Sequence, residues 1–549
     1  MTSNDPESGQ DARSIRPSRP IGETLENLVL RFGLSSDASK AELHTRATGT
    51  TLDSRDVRPG DLYLALAGAR RHGAEFAAQV EEKGAAAILT DQAGAELTRA
   101  AGVQVPVLVA PGDPRAIAGV VSAAVYATAN LDAKVFGITG TNGKTSIVYL
   151  LAELMRAAGL KTGLSSTAER RVGDTVITSS LTSPEAPELH GLLARMIEQQ
   201  VEGIALEVSA HATARHRIDG VNFDVVAFNN FSRDHLDDFG DMETYFAAKL
   251  ALFAPEHAKQ AVVVVDGPFG QRIARESKVP VTTLATEYGV NADWHLAITH
   301  QNLDGVSFAL QGPGGAHFRG SVPVFGRFMA ENAALALIML HQAGISLDRV
   351  AAGLNAGRIP VYIPGRLEAM NPTAPLDRSA RFYVDYGHTP GSFEATLAAL
   401  CGTTMEVVPH IVIGLHYGRI LGEANALDIV SRHRVHSLVL VVVMPFYAKP
   451  GTFATPATAD VGRVFLEARA RIADREVLLG CARPPGMHRR VTDAYAVAAG
   501  LDGIAFPADG TLAVAQMLGR PAAQEHACCS IKTGRTIELG RRIPIVAVP

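Results

Sequence analysis

The residues best suited to chemistry lie in the segment 135–151, VFGITGTNGKTSIVYLL. Its apolar start is typical of a buried strand, and apolar residues recur at helical spacing from Lys144 onward. Backbone N–H groups of a glycine-rich turn before a helix bind anions, and a lysine there adds positive charge for the outer phosphates of a nucleotide. The hydroxyl of Thr145 would bind Mg²⁺. The segment therefore predicts a nucleotide-phosphate site.

One glycine of this loop is displaced from the usual pattern. In G-x-x-x-x-G-K-[ST] the first glycine would fall at Ile138, but the nearest glycine, Gly137, lies one residue earlier. We expect Gly137, Gly140 and Gly143 to let the backbone turn sharply close to a ligand. The alternative is a turn before a core helix with no ligand. The order of strand, Gly-Lys-Thr and helix favours phosphate binding.

Three polar residues alternate along a predicted strand end in LEVSAHA. Glu207, Ser209 and His211 are two residues apart, so on a strand they would point to one face. A carboxylate and an imidazole at the carboxyl end of a strand suit a metal or substrate site. A polar strand terminus without such a role fits the same spacing, and the pattern leaves both interpretations open.

A charged loop and an isolated lysine follow a later predicted strand, in the segment FNNFSRDHLDDFGDMETYFAAKLALF. The loop holds Arg233, Asp234 and His235 together with two further acids. Lys249 lies in an apolar helical segment, where its ammonium group either reaches solvent or has altered chemistry. From the pattern alone, the first of these is favoured.

Two further residues lie near a predicted domain junction. Arg366 follows a proline-containing linker, where a guanidinium group could reach a γ-phosphate as domains close. Asp385 ends a predicted strand, where a carboxylate could accept hydrogen bonds from a ribose. Without a wider pattern, an ordinary surface ion pair and an ordinary turn are the favoured interpretations.

Alternating strands and helices must position these groups, which predicts an α/β protein with mainly parallel sheets and right-handed crossovers. We expect three domains after a disordered tail at 1–20: a small α/β domain at 21–132, a central parallel-sheet domain at 133–363 and a C-terminal α/β domain at 364–549. Expected central strands are 204–208, 224–228 and 261–265, with a late β meander at 293–318. Expected C-terminal strands are 382–385, 410–413 and 438–443.

The amino-acid composition limits the classes of protein to which the chain can belong. The chain has 549 residues, of which 47% are hydrophobic and 19% charged, as in globular proteins of several domains. The formal net charge of -5 gives no reason to expect a nucleic-acid partner. The four cysteines show no metal-ligand spacing, which favours reduced thiols in a cytoplasm. No apolar run is long enough to span a membrane.

Several motifs in this order resemble the Mur ligases. They are GITGTNGKTS, LTSPEA, LEVSAHATARHRIDG, FNNFSRDHLDDFGDMETYFAAK, IPGRLE and VDYGHTPGSFE. Within that family the chain is most similar to the MurE type, which adds the third residue of the peptidoglycan stem peptide. The segment LDSRDVRPGDLYLALAGARRHG resembles the UDP-binding part of those enzymes. The similarity runs from about Thr51 to Glu394.

The resemblance implies a fold and a reaction. The three domains would be a UDP-substrate-binding domain, a P-loop ATPase domain and a Rossmann-like amino-acid-binding domain. ATP would phosphorylate a substrate carboxylate, and an amine would attack the acyl phosphate to give an amide, ADP and phosphate. The partners would be a UDP-sugar peptide and an amino acid or other amine, with Mg²⁺ as the metal, in a cytoplasmic monomer.

The resemblance also implies roles for individual residues. Lys249 matches the family's carbamylated lysine, which reverses the interpretation from pattern alone, and Lys144, Lys249, His235 and Arg366 would be catalytic. Thr145, Glu207 and His235 would be Mg²⁺ ligands, and the carbamate of Lys249 would support a second Mg²⁺. ATP would contact Gly140, Thr141, Asn142, Gly143, Lys144, Thr145, Ser146, Asn332, Arg366 and Asp385. The UDP-sugar peptide and the amine would contact Ser54, Arg55, Thr182, Ser183, Ser209, Arg217 and His388.

The C-terminal region departs from the family. The place of the Gly-rich Asp-Arg-Asp segment is taken by Gly414–Arg419, which contains no acid. The Asp-Asn-Pro-Arg motif that recognises the incoming diamino acid is replaced by Val443–Tyr447, and the Gly-Lys-Gly-His-Glu motif has at best a remnant in Ser530–Arg535. Diaminopimelate is therefore a poor candidate for the amine. Phe446 and Tyr447 would make a more apolar pocket if they line it.

Three functions are therefore compared. The first is a MurE-type ligase acting on UDP-MurNAc-L-Ala-D-Glu. The second is a paralogue with the same chemistry on another carboxylate and amine. The third is an ATP-binding partner protein without ligase activity, which the retained Lys144, Glu207, His235 and Lys249 argue against.

Overall fold

The structure is a computed structural model that describes residues 15–68, 70–178, 182–369, 383–385, 389–403, 405–445 and 453–522. The chain divides into two compact units, Met1–Gly387 and His388–Pro549. The predicted domain boundary at 363/364 lies before this division. Among the described residues, no helix is both long enough and apolar enough to cross a membrane.

The N-terminal part of the first unit is a small α/β domain. Its elements are β1 (Glu23–Thr24), α1 (Leu25–Phe32), β2 (Ser35–Ser36), α2 (Lys40–Leu43), β3 (Arg46–Ala47), β4 (Gly49–Thr51), β5 (Asp61–Ala65), α3 (Ala77–Glu82), β6 (Ala87–Thr90), α4 (Gln92–Ala100), β7 (Val107–Val109) and α5 (Arg115–Val125). A five-stranded sheet has the order β2-β7-β6-β5-β4 and is parallel except for β2. β1 and β3 form a separate pair.

The disordered tail predicted over 1–20 is too long by at least six residues, because residues 15–20 are described. Arg16 forms a largely buried ion pair with Asp61 at 2.7 Å. The hydroxyl of Ser18 donates to a carboxylate oxygen of Glu198 at 2.7 Å. These contacts tie the segment both to the small domain and to the central part of the same unit, which the polar composition alone did not indicate.

The central part of the first unit carries a large mixed sheet. Its elements are β8 (Lys134–Thr139), α6 (Lys144–Ala157), β9 (Thr162–Ser165), β10 (Glu169–Val172), β11 (Thr175–Thr178), α7 (Ala186–Glu198), β12 (Gly203–Glu207), α8 (Ala210–Ala214), β13 (Val225–Phe228), α9 (Leu236–Phe239), α10 (Met242–Leu250), β14 (Ala261–Val264), α11 (Pro268–Glu276), β15 (Val281–Ala285), β16 (Trp294–Asn302), β17 (Gly305–Gln311), β18 (His317–Val322), α12 (Arg327–Gln342) and α13 (Leu347–Ala352).

The sheet order explains why the phosphate loop is the focus of this part. The eleven strands run β11-β10-β9-β12-β8-β13-β14-β15-β16-β17-β18, with a parallel centre and antiparallel edges. The chain leaves β8 towards β9 and β12 on one side and later returns to β13 on the other. Such a reversal opens a crevice at the carboxyl ends of the strands. The predicted meander is confirmed as β16–β18.

The core beside this crevice consists of two helices against the sheet. α6 and α12 are apolar around most of their circumference, and Leu150, Leu154, Leu337 and Met339 are fully buried. A helix that is hydrophobic on all sides must be buried in a core. The packing fixes the start of α6 below the phosphate loop.

A two-stranded pair ends the first unit. β19 (Glu368–Ala369) is antiparallel to β20 (Tyr383–Val384). The strand predicted at 382–385 was expected in the C-terminal domain, whereas β20 pairs with β19 and falls within the unit Met1–Gly387. Its partner strand follows directly after Arg366, so the pairing keeps it with the first unit.

The second unit is a parallel sheet with one layer of helices. Its elements are α14 (Pro390–Cys401), β21 (His410–Ile413), α15 (Glu423–Arg432), β22 (Ser437–Val442), α16 (Thr458–Arg471), β23 (Glu476–Leu479), α17 (Met487–Ala499), β24 (Gly503–Ile504) and α18 (Thr511–Met517). The strands lie in sequential order β21-β22-β23-β24, all parallel. Consecutive helices contact each other in the same order. The predicted parallel α/β class is confirmed, and the described strands show no reversal of order.

Candidate functional site

The phosphate loop lies between β8 and α6, as the sequence predicts, but Gly137 has a different task from the one expected. Gly137 lies inside β8, where a Cβ would come within 2.8 Å of the ring of Phe223. Ile138 is fully buried in the core. The displaced glycine therefore serves strand packing, and the turn itself is made by residues 140–143.

Gly143 is the glycine that the loop geometry requires. Its φ of 86° is left-handed, and it caps the start of α6. A Cβ at this position would lie 2.5 Å from Asn229 Nδ2 and 2.8 Å from Asn332 Oδ1. The Asn229 amide donates to Asn332 Oδ1 at 3.1 Å. The predicted adenine residue Asn332 is thus buried against the loop, and its contact with adenine stays a prediction.

An asparagine pair fixes the rest of the loop. The backbone N–H of Asn142 donates to Asn230 Oδ1 at 2.8 Å, and Asn229 Nδ2 donates to the Asn142 carbonyl at 3.1 Å. The backbone N–H of Thr141 donates to the Asn230 carbonyl at 3.0 Å. Sequence reasoning missed this pair, although two amides directly after the predicted strand 224–228 were a usable signal.

Lys144 folds back over the loop that precedes it. Its Nζ donates to the carbonyls of Gly140 at 3.0 Å and Thr141 at 2.9 Å. Burial lowers the pKa of Lys144, and the nearby carboxylates of Glu207 and Asp234 partly offset this effect. The ammonium group therefore lies where an anion entering the turn would meet it.

Lys249 is buried, which excludes the solvent-reaching interpretation. It is 1% exposed, its Nζ donates to the Gly140 carbonyl at 2.8 Å, and it lies 4.6 Å from the centre of the Tyr245 ring. Burial, followed by the positive charge of Lys144, lowers the pKa of Lys249 well below its ordinary value. The amine therefore lies buried against the backbone of the phosphate loop.

Glu207 has one carboxylate oxygen free for a cation. Oε2 accepts from the hydroxyl and the backbone N–H of Thr167, at 2.7 and 3.0 Å. Oε1 is buried without a hydrogen-bond partner among the described residues. A buried carboxylate oxygen without a partner is costly unless something compensates its charge. Thr167 was missed from the sequence, where no pattern distinguishes it.

The predicted strand through Glu207, Ser209 and His211 ends earlier than expected. β12 stops at Glu207, and Ser209 caps α8 by accepting from the Ala212 N–H at 3.1 Å. The alternation rule therefore fails at this point, because a serine N-cap competes with the strand. His211 lies on the helix, away from the strand geometry that grouped it with Glu207.

The predicted substrate residues of the central part do come together. The hydroxyl of Ser183 donates to the Glu207 carbonyl at 3.0 Å and lies 3.3 Å from Ser209 Oγ. Arg217 donates to the Ser183 carbonyl at 3.3 Å and pairs with Glu185 at 2.6 Å. The hydroxyl oxygens of Thr182 and Thr167 lie 3.1 Å apart. This polar group adjoins the predicted cation ligand Glu207.

His235 lies on the solvent side of the same region. Its φ of 51° is left-handed and its side chain is 43% exposed. Burial first, and then the positive charges near it, lower the pKa of His235, against the influence of Asp234. A neutral imidazole is the form that binds metal ions. Its ring lies 5.0 Å from that of His211.

Arg366 and Asp385 lie near each other at the end of the first unit. Arg366 Nη2 donates to the Thr145 hydroxyl at 3.4 Å, and the backbone N–H of Leu367 donates to Asp385 Oδ1 at 3.1 Å. Arg366 therefore lies beside the start of α6, and its contact with a γ-phosphate stays a prediction. Ser146 is buried at the start of α6.

The predicted uridine residues lie in the small domain. Lys83 Nζ donates to the backbone carbonyls of Ser54 at 3.0 Å and Arg55 at 2.6 Å. Ser54 is buried and the Arg55 side chain is exposed. No hydrogen bond described here links them to the phosphate loop. His388, Phe446, Tyr447 and Ser530–Arg535 lie outside the described residues.

A glycine-rich loop at a switch point, the partly buried Lys144, the buried Lys249 and a carboxylate oxygen without a hydrogen-bond partner among the described residues are together suited to binding nucleotide phosphates. Comparisons with known proteins specify the class of protein. Residues 46–132 match the Mur ligase family, catalytic domain, and residues 138–340 match the Mur ligase middle domain. A UDP-N-acetylmuramyl-tripeptide synthetase from Leifsonia xyli subsp. xyli is 44% identical over 81% of this chain and 85% of its own length.

Two further comparisons also point to the Mur ligase family. A UDP-N-acetylmuramoyl-L-alanyl-D-glutamate--2,6-diaminopimelate ligase from Streptomyces coelicolor is 41% identical over 73% of this chain and 76% of its own length. A solved structure of a ligase of the same name has a TM-score of 0.59 at 22% identity, covering 88% of this chain and 92% of that one. The chain belongs to the Mur ligase family. It is an ATP-dependent acid–amino-acid ligase.

Proposed function

We propose that this ligase phosphorylates the carboxylate of UDP-MurNAc-L-Ala-D-Glu and joins it to the amine of an amino acid. The observation that carries the proposal is Lys249, buried on the floor of the phosphate loop with its Nζ 2.8 Å from the Gly140 carbonyl. A protein that only bound ATP would have no need of a second buried amine there. The relatives named for tripeptide synthesis support the choice of carboxylate.

The donor set fits Mg²⁺. Glu207 Oε1 is a buried oxygen without a hydrogen-bond partner among the described residues, and Thr145 offers a hydroxyl at the start of α6. Mg²⁺ prefers oxygen ligands and one or two carboxylates together with phosphate oxygens. Thr145, Glu207 and His235 would hold one Mg²⁺, and a modified Lys249 would support a second. When bound, the two ions would neutralise charge on the phosphates during transfer.

The environment of Lys249 suits carbamylation. The free amine attacks the carbon of CO₂, a new N–C bond forms, and one proton leaves to give a carbamate anion. Only the neutral amine is nucleophilic, and burial beside Lys144 favours that form. The product is a carboxylate, which adds a negative charge within the cation site.

The remaining residues would position the nucleotide and the carboxylate. Lys144 and Arg366 would contact the outer phosphates from two sides, since both lie at the start of α6. Thr182, Ser183, Ser209 and Arg217 would hold the peptide, and Ser54 and Arg55 the uridine. Asn332 and Asp385 would contact adenine and ribose. Holding the reacting oxygen atoms in line supplies much of the rate in phosphoryl transfer.

The choice of the amine substrate is the second part of the proposal. The turn at Gly414–Arg419 holds no acid, and its start is fixed instead by Glu423, whose Oε1 accepts from the Gly414 N–H at 2.7 Å. A site for a zwitterionic side chain needs a carboxylate and an arginine. We therefore propose an amino acid without a second zwitterionic end. The same observation favours a second candidate, a paralogue that uses another amine and carboxylate.

One assay separates these functions. The purified chain with ATP and Mg²⁺ is offered UDP-MurNAc-L-Ala-D-Glu, or one of a panel of other carboxylates, with each member of an amino-acid panel, and phosphate release and the product mass are measured. Release with the dipeptide and one ordinary amino acid supports the first function. Release only with a different carboxylate supports the paralogue, and no release with any pair contradicts a ligase. A monomeric state and a cytoplasmic location stay predictions.

A further inference from the structure

A cluster of metal-binding side chains lies on the solvent side of the phosphate site. It consists of His211 on α8, His235 before α9 and Asp238 within α9. One potential ligand atom from each residue lies within 4.8 Å of the other two, and among the described residues no other group of at least three histidine, cysteine or acidic side chains does so. We name it the HHD cluster.

The chemistry of the HHD cluster differs from that of a magnesium site. Two imidazoles and one carboxylate are ligands for Zn²⁺ and related transition metals, whereas Mg²⁺ takes oxygen ligands and keeps its waters. Three protein ligands with an open fourth position are the usual set of a non-structural zinc site. The set is accessible, since the His235 and Asp238 side chains are 43% and 55% exposed.

The distances suit a small cation. His211 Nε2 donates to Asp238 Oδ2 at 3.0 Å. Ligand atoms around a tetrahedral zinc ion with bonds of about 2.0–2.1 Å are about 3.3 Å apart. A cation could therefore replace the proton that His211 and Asp238 share, while a rotation of His235 closes the third bond. Phe239 supports the His211 ring, with the two ring centres 4.8 Å apart.

We propose that the HHD cluster binds Zn²⁺ and that this binding inhibits the ligase. The inhibition, but not the binding, rests on the function proposed above. His235 belongs to both ligand sets, so Zn²⁺ held by His211 and Asp238 draws His235 away from the cation beside the ATP phosphates. The cluster is then a regulatory site that responds to zinc in the presence of excess Mg²⁺.

Binding is tested on the full chain without ATP. Zn²⁺ is titrated against a chromophoric chelator in buffer with millimolar Mg²⁺, and Co²⁺ spectra report the coordination geometry. We expect Asp238→Asn and His211→Gln each to weaken Zn²⁺ binding at least about tenfold, since even outer partners of metal ligands change affinity by that factor. The matched controls are Asp237→Asn, an adjacent acid outside the cluster, and His216→Gln, a histidine that pairs with Asp219.

Equal Zn²⁺ affinity in Asp238→Asn and the native chain, or an equal loss in Asp237→Asn, would overturn the proposed site. Inhibition is measured separately as ligase turnover against Zn²⁺ at fixed Mg²⁺. We expect Asp238→Asn to need at least about tenfold more Zn²⁺ for half inhibition. A chain that binds Zn²⁺ through the cluster but has no ligase activity refutes the proposed function alone. A chain that ligates but does not bind Zn²⁺ there refutes this inference alone.

Discussion

The phosphate loop of the first unit retains the sequence motifs of the Mur ligases, whereas the strand ends of the second unit depart from them. Around the loop, Lys144, Glu207 and Lys249 stand where the family motifs place them, and hydrogen bonds hold each of them. After β21, the turn at Gly414–Arg419 has lost the acids, and Glu423 holds its backbone instead. Activation of the carboxylate and choice of the amine can therefore change separately.

The two units also differ in how their buried charged side chains are paired. In the first unit the buried Lys249 and the partly buried Lys144 donate to the same Gly140 carbonyl, so two amines lie side by side with no acid among the described residues in a direct ion pair with either. The second unit buries a balanced pair, Arg483 with Asp493 at 2.7 Å, both side chains fully buried. The two lysines at Gly140 are suited to binding an anion, whereas the Arg483–Asp493 pair stabilises the fold of the second unit.

The largest expected effect on activity is in the first region. Lys249→Ala should lower kcat by about 10²–10³-fold, the cost of removing one charge-stabilising group from an active site. A short-chain carboxylate such as acetate should restore part of the rate, because it can occupy the space of the carbamate. Phosphate release is the measurement. Lys259→Ala, which removes an exposed lysine paired with Asp224, is the control; full activity of Lys249→Ala would remove that residue from the mechanism.

A substitution that destabilises the second unit should leave nucleotide binding unchanged. Arg483→Ala leaves Asp493 charged and buried, and it also removes donors to the carbonyls of Gly480 and Ala505. We expect a loss of about 3–5 kcal/mol in the unfolding free energy of this unit. Hydrogen exchange resolved by peptide measures it, with ADP affinity recorded in parallel. Arg463→Ala, from an exposed pair, should change stability by less than about 1 kcal/mol.

Acid should weaken the first unit before the second. His190 is fully buried between the Thr128 hydroxyl and the Asp219 carbonyl, and burial lowers its pKa to about 4. Its unfolded pKa is near 6.5, so below that pH the unfolded chain binds a proton that the folded chain does not. Stability is therefore lost as pH falls from about 6.5 to 4, by about 3 kcal/mol in total.

The measurement for His190 is the unfolding free energy of each unit as a function of pH, by hydrogen exchange. His190→Gln should flatten the curve of the first unit and leave that of the second unchanged. An unchanged slope in the variant would show that other groups carry the acid sensitivity.

The smallest expected effect tests the loop itself. Gly143→Ala forces a Cβ against Asn229 and Asn332 at a left-handed φ. We expect a cost of about 1–3 kcal/mol, expressed mainly as weaker ATP binding. Isothermal titration with ADP measures it. Gly112→Ala, where a Cβ would have nothing within 4 Å, is the control, and equal affinities in the two variants would contradict the geometry described for the loop.

Much of the first unit could be predicted from its sequence because its elements are regular. The run at 261–265 is a buried parallel strand, and the alternation at 293–318 is a meander. Errors arose where local chemistry overrode a pattern. Ser209 caps a helix and ends the strand expected to continue through it, and Gly137 packs on Phe223 rather than turning the chain. The position of Lys249 could not be predicted from spacing alone, since a lysine in an apolar helix can have its amine either buried or exposed to solvent.

The second unit was harder to predict for a different reason. Its strands at 410–413 and 437–442 are clear apolar runs, so their existence could be inferred. Long-range pairing was hard to predict in the first unit as well, since β20 pairs with β19 there although the sequence grouped it with the C-terminal strands. The HHD cluster is a further case, because His211 and Asp238 meet only through the approach of two short helices.

Positional isotope exchange tests the central claim most directly, because it isolates carboxylate activation from the choice of amine. ATP labelled with ¹⁸O in the bridge between the β- and γ-phosphates is incubated with the chain, Mg²⁺ and UDP-MurNAc-L-Ala-D-Glu, without any amine. Reversible formation of the acyl phosphate lets the label move into the non-bridging β-positions. We expect exchange that requires the dipeptide and disappears in Lys249→Ala. Bound ATP with no exchange in the presence of the dipeptide would contradict the account.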